Sequence, residues 1–133
     1  MANAIYPDWK EQVMQGTASA SLGGTVKITM VTSAYIYSAA HTFRSSLSGE
    51  VGTAQTLANK TFTDGVFDNT VDPTWTSVAG GSTVNAFVIY IDNGSAATDR
   101  LVAYIDTDQT GLPFDTNGGD VTYTIDAAGI FTL

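Results

Sequence analysis

The run from Asn85 to Ile91 constrains the fold most. Ala86, Phe87, Val88, Ile89 and Tyr90 follow one another without a polar break. A strand built from them carries apolar side chains on both faces, so it belongs inside a sheet that is covered on both sides. The run is far shorter than the roughly 20 residues a transmembrane helix needs. Leu101 to Ile105 repeats its character. Between the two lie Asp92-Asn93-Gly94-Ser95 and then Ala96-Ala97-Thr98-Asp99, residues that favour turns, so the pair is expected to form a hairpin.

Further β signals surround this pair. Val26, Ile28 and Met30 alternate with Thr25, Lys27 and Thr29, which predicts a half-buried strand with a polar outer face. Asp64-Gly65 between Thr61-Phe62-Thr63 and Val66-Phe67 is a second hairpin signal. Val121, Tyr123 and Ile125 alternate with Thr122 and Thr124, and Ala127-Ala128-Gly129 turns the chain into a last strand, Ile130 to Leu133. The stretch from about Tyr35 to Leu57 is rich in Ser, Ala and Gly, yet Tyr35, Tyr37, His41, Phe43 and Leu47 make it too apolar for a free linker. It is expected to be a loop with a short helical turn, packed on the domain or on a partner.

One helix is expected, over Tyr6 to Gln15. Pro7 suits a first turn, Asp8 and Glu11 face the positive end of the dipole, and Gly16 is a plausible stop. Tyr6, Trp9 and Val13 share a face. A helix this short is marginal alone and needs a surface to dock on. With 133 residues and neither an internal repeat nor a low-complexity linker, one domain is expected, residues 1–24 forming the helix and an arm and residues 25–133 the β-domain. The fold class is all-β: a single β-sandwich or barrel-like domain with a short N-terminal helix.

Charge narrows the partners. Only 14% of residues are charged, against about 25% in an average soluble domain. Thirteen acidic residues against five Lys and Arg leave a net charge of −8, with no basic run. Phosphate contacts need clustered Lys or Arg, so neither nucleic acid nor an anionic membrane is an expected partner. A surface of small uncharged polar residues loses little side-chain entropy when covered, which suits permanent protein contacts. The chain has no cysteine, which removes disulfides and thiolate chemistry. Its opening Met1-Ala2-Asn3-Ala4 shows no basic segment before a long apolar one, so a soluble protein without a secretory leader is expected.

Few residues point to chemistry. His41 is the single histidine, and any Ser-His-Asp arrangement would draw on it with Ser38 or Ser45. No nucleophile-elbow sequence accompanies it, and a packing histidine is the expectation. Asp106-Thr107-Asp108-Gln109-Thr110-Gly111 resembles the start of a calcium loop, which makes Asp106 and Asp108 candidate metal ligands. The twelfth position is Asn117 rather than Glu, and strands flank the segment, so a polar turn without a metal is expected. Asp64, Asp68 and Asp72 form another acidic group, read as solvated turn residues. A glycosidase would need a facing carboxylate pair, and none can be named, with Glu11 and Glu50 the only glutamates. Asn59-Lys60-Thr61 and Asn93-Gly94-Ser95 match the glycosylation pattern by chance when no leader is present. Trp75 reads as core. Trp9, on the terminal helix, reads as an interface anchor.

Read as a whole, the chain is similar to small structural proteins of tailed bacteriophages. The likeness rests on order and spacing: Met1-Ala2-Asn3-Ala4-Ile5-Tyr6-Pro7-Asp8-Trp9-Lys10, Tyr37-Ser38-Ala39-Ala40-His41, Leu57-Ala58-Asn59-Lys60-Thr61 with Asp64-Gly65-Val66-Phe67-Asp68, Val88-Ile89-Tyr90-Ile91-Asp92, Leu101-Val102-Ala103-Tyr104-Ile105-Asp106, Gly111-Leu112-Pro113, Asn117-Gly118-Gly119-Asp120 and Gly129-Ile130-Phe131. The resemblance implies a non-catalytic virion component without a cofactor, of the capsid decoration (cement) type. It would be a homo-oligomer on the capsid surface, contacting the major capsid protein and copies of itself, and would pass through the host cytoplasm during assembly. A tail, neck or fibre component, or a carbohydrate- or host-binding β-module, is the alternative. Contact residues are expected on the helix (Tyr6, Trp9, Val13) and in the long loop (Tyr35, Tyr37, Phe43).

Overall fold

In the computed structural model, which describes residues 3–107 and 111–133, the chain runs through β1 (Ala4–Ile5), α1 (Pro7–Met14), β2 (Val26–Val31), β3 (Glu50–Thr56), β4 (Lys60–Thr63), β5 (Val66–Asn69), β6 (Thr74–Trp75), β7 (Thr83–Val84), β8 (Ala86–Ile91), β9 (Arg100–Ile105), β10 (Phe114–Asp115), β11 (Val121–Thr122) and β12 (Phe131–Thr132). Short 3-10 turns lie at Ala18–Ala20 and Arg44–Ser46. The fold is all-β with a short N-terminal helix, and its sheets do not close into a barrel.

Five antiparallel strands in the order β1-β9-β8-β2-β3 make the main sheet. The uninterrupted apolar run is β8, and all six of its residues are buried. Its register sets Phe87, Ile89 and Ile91 beside Met30, Ile28 and Val26 on one face, and Ala86, Val88 and Tyr90 beside Val31, Thr29 and Lys27 on the other. The first face lies under short ribbons: the Phe87 ring packs against Tyr123 at 4.9 Å, Trp75 at 5.6 Å and Phe114 at 6.5 Å. The second lies under the segment between β2 and β3, with Arg44 over the Tyr90 ring at 5.0 Å and Tyr35 and Tyr37 against Tyr104 at 6.0 and 5.4 Å.

That second cover corrects the expectation of a polar, outward face on β2. Thr29 is buried, and its hydroxyl has no hydrogen-bond partner among the described residues. Alternation shows which residues share a face, and says nothing of what folds over it.

Two segments share the outer edge of β9. Ala4 and Ile5 pair with Tyr104 and Ala103, and the Tyr6 N–H donates to the Val102 carbonyl at 3.0 Å. There the chain turns into α1, and the long loop takes over the edge. Thr42 accepts from the Leu101 N–H at 3.0 Å, and the Arg44 N–H donates to Asp99 at 2.8 Å. Paired backbone groups on this edge are closed to another strand.

The long loop is shorter than expected. It ends at Gly49, and Glu50–Thr56 is the edge strand β3 rather than loop. Its pairing with β2 slips between Ile28↔Gln55 and Met30↔Val51. Gly52 sits in this bulge with φ +69°, a conformation costly for other residues, and the bulge breaks the alternation that marks a strand.

The ribbons follow their turn chemistry. Asp64 and Gly65, at φ 53° and 80°, close the β4–β5 hairpin as the Asp-Gly pair predicts, and β12 adds to the other side of β5. The strand expected over Val121–Ile125 is only β11, paired with β6. The next residue, Tyr123, donates to the carbonyl of Pro73, which has no N–H to return, so the ladder stops. β7 and β10 form a further two-stranded ribbon that no sequence signal marked. No helix among the described residues is long and apolar enough to cross a membrane.

Candidate functional site

Helix α1 and the long loop bring most of the expected contact residues together, but on the inside. Tyr6, Trp9 and Tyr35 retain 0%, 1% and 4% of their accessible surface. Apolar side chains already taken out of water by their own chain have nothing left to offer a partner, so these three are core residues and not interface anchors. The Trp9 indole N–H donates to the Ala20 carbonyl at 2.9 Å, which fixes the helix to the following turn. Val13, Tyr37 and Phe43 are half-buried, Phe43 beneath the Arg100 guanidinium at 5.1 Å. Trp75 is core, as expected.

The gathered rings form a tyrosine cluster. Tyr37 packs against Tyr6 at 5.1 Å and Tyr104 at 5.4 Å. The Tyr6 and Tyr35 hydroxyls are 2.7 Å apart, and the Tyr35 hydroxyl is 2.8 Å from His41 Nδ1. Burial pushes the Tyr6 phenol far above its ordinary range, and its hydrogen bond to Tyr35 adds to this. Burial likewise raises Tyr35, and it raises Tyr104 together with the nearby Asp106 charge. Phenols held neutral in this way are available as hydrogen-bond donors to one another and to His41.

His41 Nδ1 therefore meets a phenol, where a catalytic triad places a carboxylate. Ser38 Oγ accepts from the Ala40 N–H at 3.2 Å, a local turn contact. The acidic residues also serve the backbone. Asp68 accepts from the Asn69 N–H, and Asp72 from the Ile125 N–H, at 2.7 and 3.1 Å. Asp106 is half-buried, and its own N–H donates to Asn3 Oδ1 at 2.8 Å. Asp108 lies outside the described residues. Among those described, no three His, Cys, Asp or Glu side chains are grouped as a metal site.

Cations are spent within the chain. Arg44 pairs with Asp99 at 2.8 Å and Glu50 at 3.5 Å, Arg100 with Asp8 at 3.1 Å, and Lys27 with Asp92 at 3.2 Å. Lys60 donates to the Leu22 and Gly24 carbonyls, and burial lowers its pKa. Asp92 is held below the usual carboxylate range by the Gly94 N–H and by Lys27. Four of the five Lys and Arg residues are thus engaged within the chain, three of them with carboxylates, and the surface keeps an excess of unpaired acidic residues.

Exposed apolar side chains remain at Met14 on the helix, at Ile36 in the long loop, at Val71, and on a three-stranded ribbon. β4, β5 and β12 set Phe62, Phe67 and Phe131 side by side across three strands. Phe62 stacks on Phe67 at 5.5 Å, Phe67 meets Phe131 edge-on at 5.3 Å, and Phe131 meets Trp9 edge-on at 5.7 Å. This aromatic ladder runs from buried Trp9 to Phe62, which is 55% exposed on the open edge strand. Leu133, 60% exposed, flanks the same groove with Leu22 and Val66. Sequence reasoning missed Phe62 and Leu133, because Thr61-Phe62-Thr63 alternates as a strand with a buried phenylalanine does. No family model, curated protein or solved structure matches the chain.

Proposed function

We propose that this chain is a non-catalytic structural subunit of a tailed-bacteriophage virion: a capsid decoration (cement) protein that packs against the major capsid protein and copies of itself. The observation that carries the reading is the exposed end of the aromatic ladder. A large ring on an edge strand, stacked on a rigid aromatic series and beside Leu133, is a ready anchor for another protein surface. Its strand also offers unpaired backbone groups for augmentation.

Other features support the reading. Small uncharged residues give a surface that is covered at little entropic cost. The excess of acidic over basic residues gives an acidic exterior, which keeps decorated particles apart in solution. The order and spacing of motifs along the chain resemble those of phage structural proteins. The test is saturable binding to empty heads of the phage that carries the chain, at a fixed ratio to capsomers. A chain that stays free beside those heads overturns the decoration reading and favours a tail, neck or fibre component or a carbohydrate- or host-binding module.

A further inference from the structure

Strand β4 is the open end of the β12-β5-β4 ribbon, and its Thr61, Phe62 and Thr63 are exposed. A two-residue turn is closed by a hydrogen-bonded pair, here Thr63 and Val66, and such pairs alternate with open ones along an antiparallel ladder. Phe62 and Lys60 therefore direct their backbone N–H and C=O groups away from β5, toward the open side. An edge of this kind is commonly guarded by an outward lysine. Lys60 does not guard it. Its ammonium bends back to the Leu22 carbonyl at 2.7 Å and to the Gly24 carbonyl. One of its three N–H groups is left over, and among the described residues it has no carboxylate partner. Asp64, exposed in the turn, has the opposite lack: its carboxylate has no hydrogen-bond or ion-pair partner among the described residues.

We propose that two copies of the chain join edge to edge through β4, antiparallel about a two-fold axis at Phe62. In this register Phe62 exchanges both backbone hydrogen bonds with Phe62 of the second copy. The two rings meet on the face that already carries Phe67 and Phe131, so one aromatic series crosses six strands. On the other face Thr61 stands opposite Thr63 of the second copy, a pairing of exposed hydroxyls. Lys60 stands opposite Asp64 of the second copy, twice by symmetry, and each unmatched charge meets its opposite. A register centred on Lys60 instead sets two ammonium groups face to face, and one centred on Thr61 leaves Asp64 opposite Ala58. The inference rests on the reading of Phe62 as an assembly anchor and names what seats on it. A dimer meets a phage head with two copies at once, so losing the pair also weakens head binding.

The test is sedimentation velocity of the full chain without heads, at low and high salt, for the parent, Phe62→Ser and Asp64→Asn, with circular dichroism as the check on folding. Asparagine keeps the positive-φ turn that Asp64 makes (φ 53°) and removes only its charge. The parent is expected to dimerise reversibly, and less well as salt rises. Phe62→Ser should remain monomeric. Asp64→Asn should dimerise about tenfold more weakly and without the salt dependence, two partly exposed ion pairs being lost together. The inference is overturned if the parent is monomeric at millimolar concentration, if Phe62→Ser dimerises as the parent does, or if Asp64→Asn matches the parent at low salt. Heads take no part in this test, so a parent dimer that ignores heads fails the decoration role alone, and a monomer that binds heads fails the dimer alone.

Discussion

The Tyr6 hydroxyl, wholly inside the molecule, lies 2.7 Å from the Tyr35 hydroxyl, which in turn lies 2.8 Å from His41 Nδ1. The two phenols do not stand equally in this chain. Tyr35→Phe strands the Tyr6 hydroxyl in the core, and a buried donor without a partner costs about 1–3 kcal/mol. Tyr6→Phe leaves Tyr35 still bonded to His41 and costs nearer 1 kcal/mol. The double variant removes the orphan, so it is expected to be less destabilised than the sum of the singles. Urea unfolding of the four proteins checks this, and strict additivity contradicts it.

Asp99 is the most enclosed carboxylate among the described residues, with 1% of its surface accessible. It accepts from Arg44 Nε at 2.8 Å and from the Asn93 N–H at 2.7 Å, and so holds the long loop and the β8–β9 turn together. Asp99→Ala leaves a half-buried guanidinium without its main partner. The expected loss is about 3 kcal/mol, measured by thermal or denaturant unfolding.

Alkali should unfold the protein before its tyrosines titrate freely. Burial raises the Tyr90 phenol from 10.0 to about 12, against the opposing pull of Arg44, and Tyr6, Tyr35 and Tyr104 are raised in the same direction. A raised folded-state pKa contributes stability that is full below the unfolded value, near pH 10, and is lost as pH climbs toward 12. The tyrosinate absorbance of these four phenols should therefore appear in one cooperative step together with loss of the β signal in circular dichroism. Gradual titration with the fold intact contradicts this.

Phe62 separates folding from association. It is 55% exposed and its main contact is the stack on Phe67, so Phe62→Ser should cost no more than about 1 kcal/mol. The same change removes the exposed end of the ladder. Sedimentation velocity should show unchanged folding and weaker association with any partner that seats there.

The central strands were legible because burial on both faces leaves a local mark: the unbroken run at Ala86–Ile91 has one place to go. The Asp64-Gly65 turn was legible because a backbone at positive φ selects its residues. β3 was not, since the bulge at Gly52 destroys alternation, and neither were the two-residue ribbons, which are fixed by what they pack against. Tyr6, Trp9 and Tyr35 were misplaced as contact residues for a related reason. Amphipathicity showed that Tyr6 and Trp9 must be covered, but whether their own chain or another covers them depends on where the loop and β12 fall in space.

The most direct measurement of the proposed decoration role is co-sedimentation of the chain with empty heads of a tailed phage that encodes it, parent and Phe62→Ser side by side. The account predicts that the parent binds saturably at a fixed ratio to capsomers and that the variant, equally folded, binds much more weakly. A parent protein that remains in the supernatant at every concentration contradicts the decoration role, and a variant that binds as tightly as the parent contradicts the aromatic ladder as its contact.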